Sequence, residues 1–113
     1  MSQKSKTLLS FDKVFREGKS LRQGSIQIFF RKNEENHFLW GVAVSSKKWR
    51  KATQRNSIKR RMRVAFSPLK KRIEKNFDIV FLFCGQSVDS DIFVLREDIE
   101  KGLTQIGLLT KHL

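Results

Sequence analysis

Residues 47–75 hold thirteen Lys or Arg and a single acid, Glu74. That local excess of +12 compares with +13 for the whole chain, so the remaining positions are nearly neutral together. Guanidinium and ammonium groups at this density grip phosphate oxygens; they do not break bonds. On a helix over residues 55–66, Ile58, Met62, Ala65 and Phe66 form an apolar stripe at 100° per residue. Arg55, Asn56, Lys59, Arg60 and Arg63 fall beside the stripe as a wide cationic face, with Arg61 on the other flank. Thr53 is the expected N-cap and Pro68 the expected stop, by biasing Ser67 out of the helical region. An ordinary solvated face mixes both signs. Here Arg55, Lys59 and Arg63 repeat at i,i+4 without an acid and repel one another. A polyanion removes that cost.

Groups able to do covalent chemistry are sparse. His37, Cys84 and His112 are isolated from one another in the chain, and no His, Cys or Asp cluster has zinc-ligand spacing. No Gly-rich phosphate loop and no nucleophile with its base is visible. Cys84 ends an apolar run and reads as a small buried hydrophobe, and a lone cysteine suits a reducing compartment. Flat rings are the other functional candidates. Phe11 and Phe15 stand one turn apart, where either core packing or base stacking fits. Phe29 lies on the more polar face of an alternating strand, where it reads either as a ring for base stacking or as a lone exposed apolar residue.

The elements that must position these residues can be read in order. A chain of 113 residues with 39% hydrophobic content is expected to form one domain over residues 1–113, with 1–7 a loose arm. Ser10 caps a short helix that Gly18 ends. Residues 25–30 alternate as a strand, the polar run 31–37 reads as a hairpin loop, and 38–45 reads as the return strand, with Trp40 in the core. After the basic helix, residues 78–83 form an apolar run that suits a strand covered on both faces. Leu95, Ile99, Leu103 and Ile106 then mark a C-terminal helix, weakened by Gly102 and closed by Gly107, before a polar end at 110–112. A pI near 10.5 points to a polyanionic partner. No apolar run is long enough to span a bilayer, and the first residues lack a signal-peptide core, so a cytoplasmic protein without a membrane partner is expected.

In order and spacing, several segments together resemble the protein subunit of bacterial ribonuclease P. The most specific is RNSIKRRMR at 55–63, similar to that family's Arg-Asn-Arg motif, with Ser57 where the motif usually has its second Arg. GVAVSSKKWRKA at 41–52, FDKVFREGKS at 11–20 and DIVFL at 78–82 are similar to other parts of the family pattern. The resemblance implies an α/β (α+β) two-layer sandwich, ribosomal protein S5 domain 2-like, whose four-stranded sheet carries a left-handed βαβ crossover holding the basic helix. Generic rules favour the opposite hand. It further implies a subunit that pairs with a large catalytic RNA and binds the 5′ leader of precursor tRNA, with no obligate protein partner. The RNA, using Mg²⁺ that it mainly holds itself, hydrolyses the phosphodiester joining leader to tRNA. Carried over by position, Phe11, Phe15 and Phe29 match the leader cleft. Lys47, Lys48, Arg55, Asn56, Lys59, Arg60 and Arg63 match the RNA-binding segment. No side chain is expected to be catalytic. The rival readings are a structural or ribosomal RNA-binding protein and, more remotely, a DNA-binding regulator, which lacks a partner helix with the right turn.

Overall fold

The computed structural model describes residues 9–34, 38–74 and 76–109. The expected arm at 1–7, His37 and the polar end at 110–112 lie outside the described residues. Three helices and four strands follow in the order α1 (Phe11–Glu17), β1 (Lys19–Gln23), β2 (Ile26–Lys32), β3 (Leu39–Ala43), α2 (Ala52–Phe66), β4 (Phe77–Phe83) and α3 (Ile92–Ile106). A 3-10 segment, Ser67–Arg72, follows α2.

The strands form one mixed sheet in the order β1-β2-β4-β3. β1 and β4 both run antiparallel to β2, while β3 pairs with β4 in parallel. The hairpin expected across residues 31–37 is therefore not formed. β4 stands between β2 and β3 in the sheet, residues 35–37 lie outside the described residues, and α2 lies in the connection from β3 to β4. The hairpin of this fold is β1-β2, a strand pair that residue patterning missed. Its loop is Gly24-Ser25 between the paired Gln23 and Ile26. Gly24 sits at φ +57, the positive value that the first position of a two-residue turn demands.

Paired residues share a face, so the register sorts the sheet into two sides. Ile26, Ile28, Val42, Ile79, Phe81 and Phe83 line one side and join Ile58, Met62, Ala65 and Phe66 of α2 and Leu95, Ile99 and Leu103 of α3 in one core. Phe66 is fully buried at its centre, 4.8 Å from both Trp40 and Phe81 between ring centroids. Removing a buried ring of this kind costs about 3–5 kcal/mol. The predicted apolar stripe of α2 is the buried face of that helix. Trp40 is half-buried rather than enclosed, because β3 is an edge strand.

Helix ends follow local chemistry in most cases. Ser10 Oγ accepts from Lys13 N–H at 3.2 Å, and Gly18 N–H reaches Val14 O at 2.9 Å. Asp91 caps α3 through Phe93 N–H at 2.8 Å, and Gly107 closes it in the left-handed region at φ +88. Gly102 is where α3 meets the sheet: a Cβ there would stand 2.5 Å from Ile28 Cδ1. Two expectations for α2 fail. Its N-cap is Lys51, so Thr53 lies inside the first turn and no side chain caps the end. Ser67 stays helical at φ −48, ψ −47, and opens the 3-10 segment, with Pro68 in its first turn. Proline is tolerated in a first turn, where its missing N–H has no helical partner to lose. Cys84 is half-buried just past β4, with Sγ 3.8 Å from Leu82 O, rather than enclosed in the core.

Candidate nucleic-acid interface

Val14 and Val80 are completely buried, yet both lie outside the main core. They form a second, smaller contact on the opposite side of the sheet, where α1 crosses β2 and β4. The register places Phe29, Val80 and Gly41 in one row on that side. Phe15 meets Phe29 edge-on, with centroids 4.7 Å apart and planes at 82°. Phe11 meets Phe15 in the same manner at 6.4 Å and 81°. Phe11 also lies over Gly41, where a Cβ would be 2.5 Å from its Cζ. Three rings from distant positions thus form one chain across the sheet. Val14 is the core residue of α1; Phe11 and Phe15 remain 36% and 39% exposed. Phe29 is half-buried between both roles. The next row on this face, Gln27, Leu82 and Ala43, is only partly covered. An extended strand of unstacked bases would find there a sheet floor bordered by ring edges and faces.

α1 is held down by a charge network. Arg31 donates to Glu17 Oε1 at 3.1 Å and to Asp78 Oδ2 at 3.0 Å. Asn33 Nδ2 donates to Asp78 Oδ1 at 2.7 Å. Asp78 and Asn33 are both buried, so the carboxylate depends on these donors. This anchor escaped the sequence reading because its members are 14 to 47 positions apart.

The cations do not act alike. Arg55 donates from Nη1 to Trp49 O and Arg50 O, both at 2.9 Å, and so clips the loop before α2. Lys48 donates to Gly85 O at 3.1 Å, tying that loop to the end of β4. Arg61 faces α3, bonding Ser90 O at 3.3 Å and pairing with Asp89 at 3.6 Å. Lys47, Asn56, Arg60 and Arg63 are exposed, and Lys59 is half-buried. Among the described residues, no ion pair involves Lys47, Lys48, Arg55, Lys59, Arg60 or Arg63. Since Arg61 marks the α3 side, Asn56, Lys59 and Arg63 occupy the flank turned away from α3. The start of α2 has neither a side-chain cap nor an acid in its first turn, so the helix dipole adds to the positive field. α2 packs on β3, and Phe11 touches the other face of the same strand at Gly41. One edge strand therefore joins the basic helix to the ring chain.

Among the described residues, no group of three or more His, Cys, Asp or Glu could hold a metal ion. No helix among them is long and apolar enough to cross a membrane.

Fold and site together define a small basic α+β protein with one cation-rich helix and one open aromatic sheet face. The family model for Ribonuclease P matches residues 3–107. The Ribonuclease P protein component of Acholeplasma laidlawii is 34% identical over 101 residues, covering 89% of this chain and 86% of that protein. The solved ribonuclease P protein of Thermotoga maritima superposes with a TM-score of 0.72 at 34% identity, covering 84% of this chain and 89% of that one. That of Staphylococcus aureus shares the fold at a TM-score of 0.74, with 24% identity over 100% and 99% of the two chains. The chain belongs to the ribonuclease P protein family. It is a component of a ribonucleoprotein endoribonuclease that processes tRNA.

Proposed function

We propose that this chain binds two RNAs at once: the catalytic RNA of ribonuclease P along the exposed cations of α2, and the 5′ leader of precursor tRNA along the ring chain. The observation that carries the reading is the meeting of Phe11, Phe15 and Phe29 on the open side of the sheet. Cations for backbone and rings for bases give affinity without base-edge readout, which suits leaders of varied sequence. Lys47, Asn56, Lys59, Arg60 and Arg63 supply the phosphate contacts. Lys48 and Arg55 contribute charge while holding the loop that presents it. Two RNAs repel at close range, and a protein with cations on one helix lowers that repulsion and releases counterions. The Mg²⁺ requirement is assigned to oxygens of the RNA partner. The working compartment is the cytoplasm, where both RNAs are found.

The test compares precursor tRNA with mature tRNA in binding to the reconstituted complex. A Phe15→Ala variant is expected to narrow the preference for precursor. Equal narrowing absent in all three of Phe11→Ala, Phe15→Ala and Phe29→Ala would remove the leader from this face. A purely structural RNA-binding protein would show no precursor preference in the first place.

A further inference from the structure

Among the described residues, the most exposed large apolar side chain is on α3 and not in the ring chain. Phe93, in the first turn of α3, is 74% exposed. Its backbone is fixed by the Asp91 cap. Arg96, nearly one turn on, stands with its guanidinium carbon 5.6 Å from the ring centroid. The same guanidinium donates to Ala65 O at 2.9 Å and Val64 O at 3.3 Å, the last carbonyls of α2. Arg96 thus joins the two helices, touching the Phe93 ring on α3 and the backbone of Val64, itself 45% exposed, on α2. Arg60, one turn before Val64, is exposed and enters no ion pair among the described residues. The acids of this corner are engaged elsewhere: Asp89 with Arg61, Asp91 as a cap, and Glu97 with Lys101 at 3.8 Å.

We propose that Phe93, backed by Arg96, is a second stacking platform that takes one unpaired base of the catalytic RNA, with Arg60 of α2 available to a phosphate of the same strand. This rests on the functional reading above. Charge decides the occupant. An apolar protein partner would have to desolvate Arg60 and Arg96 without supplying acids, whereas an RNA segment brings phosphates to both and a flat base to the ring. Position decides which RNA. α3 covers the core side of the sheet, and the leader rings occupy the other, so a leader in the cleft does not reach this corner.

The test uses the full chain with the catalytic RNA, measuring binding at fixed salt and precursor cleavage for wild type and Phe93→Ala, Phe93→Leu and Phe93→Trp. At 74% exposure these changes leave the fold intact, which matched melting curves check. The expected result is about a tenfold loss of catalytic-RNA affinity for both Ala and Leu, within the range of base–aromatic stacking. Trp restores it, and the preference for precursor over mature tRNA is unchanged in all variants. Wild-type affinity in Phe93→Ala, or full rescue by Leu, overturns the platform, since neither is compatible with a stacked base. Failure of the wild-type chain itself to bind the catalytic RNA is a different outcome, because it removes the functional reading on which the platform stands.

Discussion

Phe11 sits on Gly41: the ring occupies the space that any side chain at that position would fill, with Cζ 2.5 Å from where a Cβ would stand. A glycine inside a strand marks a close approach, and here the approach is that of the Phe11 ring. Gly41→Ala should displace Phe11 and loosen α1, costing about 1–3 kcal/mol as overpacking does. Leader affinity should fall with it. Denaturant midpoints and leader binding check both effects, and a Gly41→Ala/Phe11→Ala double variant should lose less than the sum of the two single changes.

Arg55 belongs to the loop as much as to the RNA. Its two carbonyl bonds, to Trp49 and Arg50, both come from one guanidinium nitrogen, Nη1. Arg55→Lys keeps the charge but not the planar group that aims this nitrogen at both carbonyls. Stability should drop by about 1–2 kcal/mol, while the salt dependence of RNA binding changes little. Chemical denaturation and binding over a salt series separate the two.

Lys59, Arg60 and Arg63 should behave in the opposite way. They have no ion pair among the described residues to lose. Replacing all three by Gln should leave the melting temperature within a few degrees, or raise it as like-charge repulsion is relieved. The slope of log K against log salt should flatten by about 2 to 3. An unchanged slope would remove these side chains from the interface.

Arg31→Ala should be among the most damaging changes on the sheet. It leaves the Asp78 carboxylate buried with only the Asn33 amide shown facing it. Breaking a buried pair from one side costs about 3–5 kcal/mol. Arg31→Ala/Asp78→Asn should recover part of that loss, because the stranded charge is gone. Equilibrium unfolding of the single and double variants measures the recovery.

Much of this arrangement was legible from local pattern. Ile58, Met62, Ala65 and Phe66 repeat at helical spacing, and all four are buried. Ser10, Gly18 and Gly107 mark helix ends through their own backbone and side-chain chemistry. What failed was non-local. Residues 31–37 look like a hairpin loop because they are polar and lie between two strands; nothing local says that β3 pairs with β4, some forty positions on, instead of with β2. β1 was missed because Leu21 is its one apolar residue and none of its side chains is β-branched or aromatic, and the better signal was the Gly24-Ser25 turn. The family resemblance supplied the fourth strand that residue physics had not. For the site, the rings could be named from sequence, but their meeting depends on α1 crossing β2 and β4. Phe93 drew no notice, because a single apolar residue off the helical stripe is common on surfaces.

The central claim is that the protein assists an RNA catalyst rather than cleaving anything itself. The direct measurement is precursor tRNA cleavage at low Mg²⁺ by the catalytic RNA, by the nucleic-acid-free protein, and by the two together. The account predicts slow cleavage by the RNA alone, none by the protein, and strong stimulation on mixing. Cleavage by the purified protein alone, or no stimulation on mixing, would contradict it.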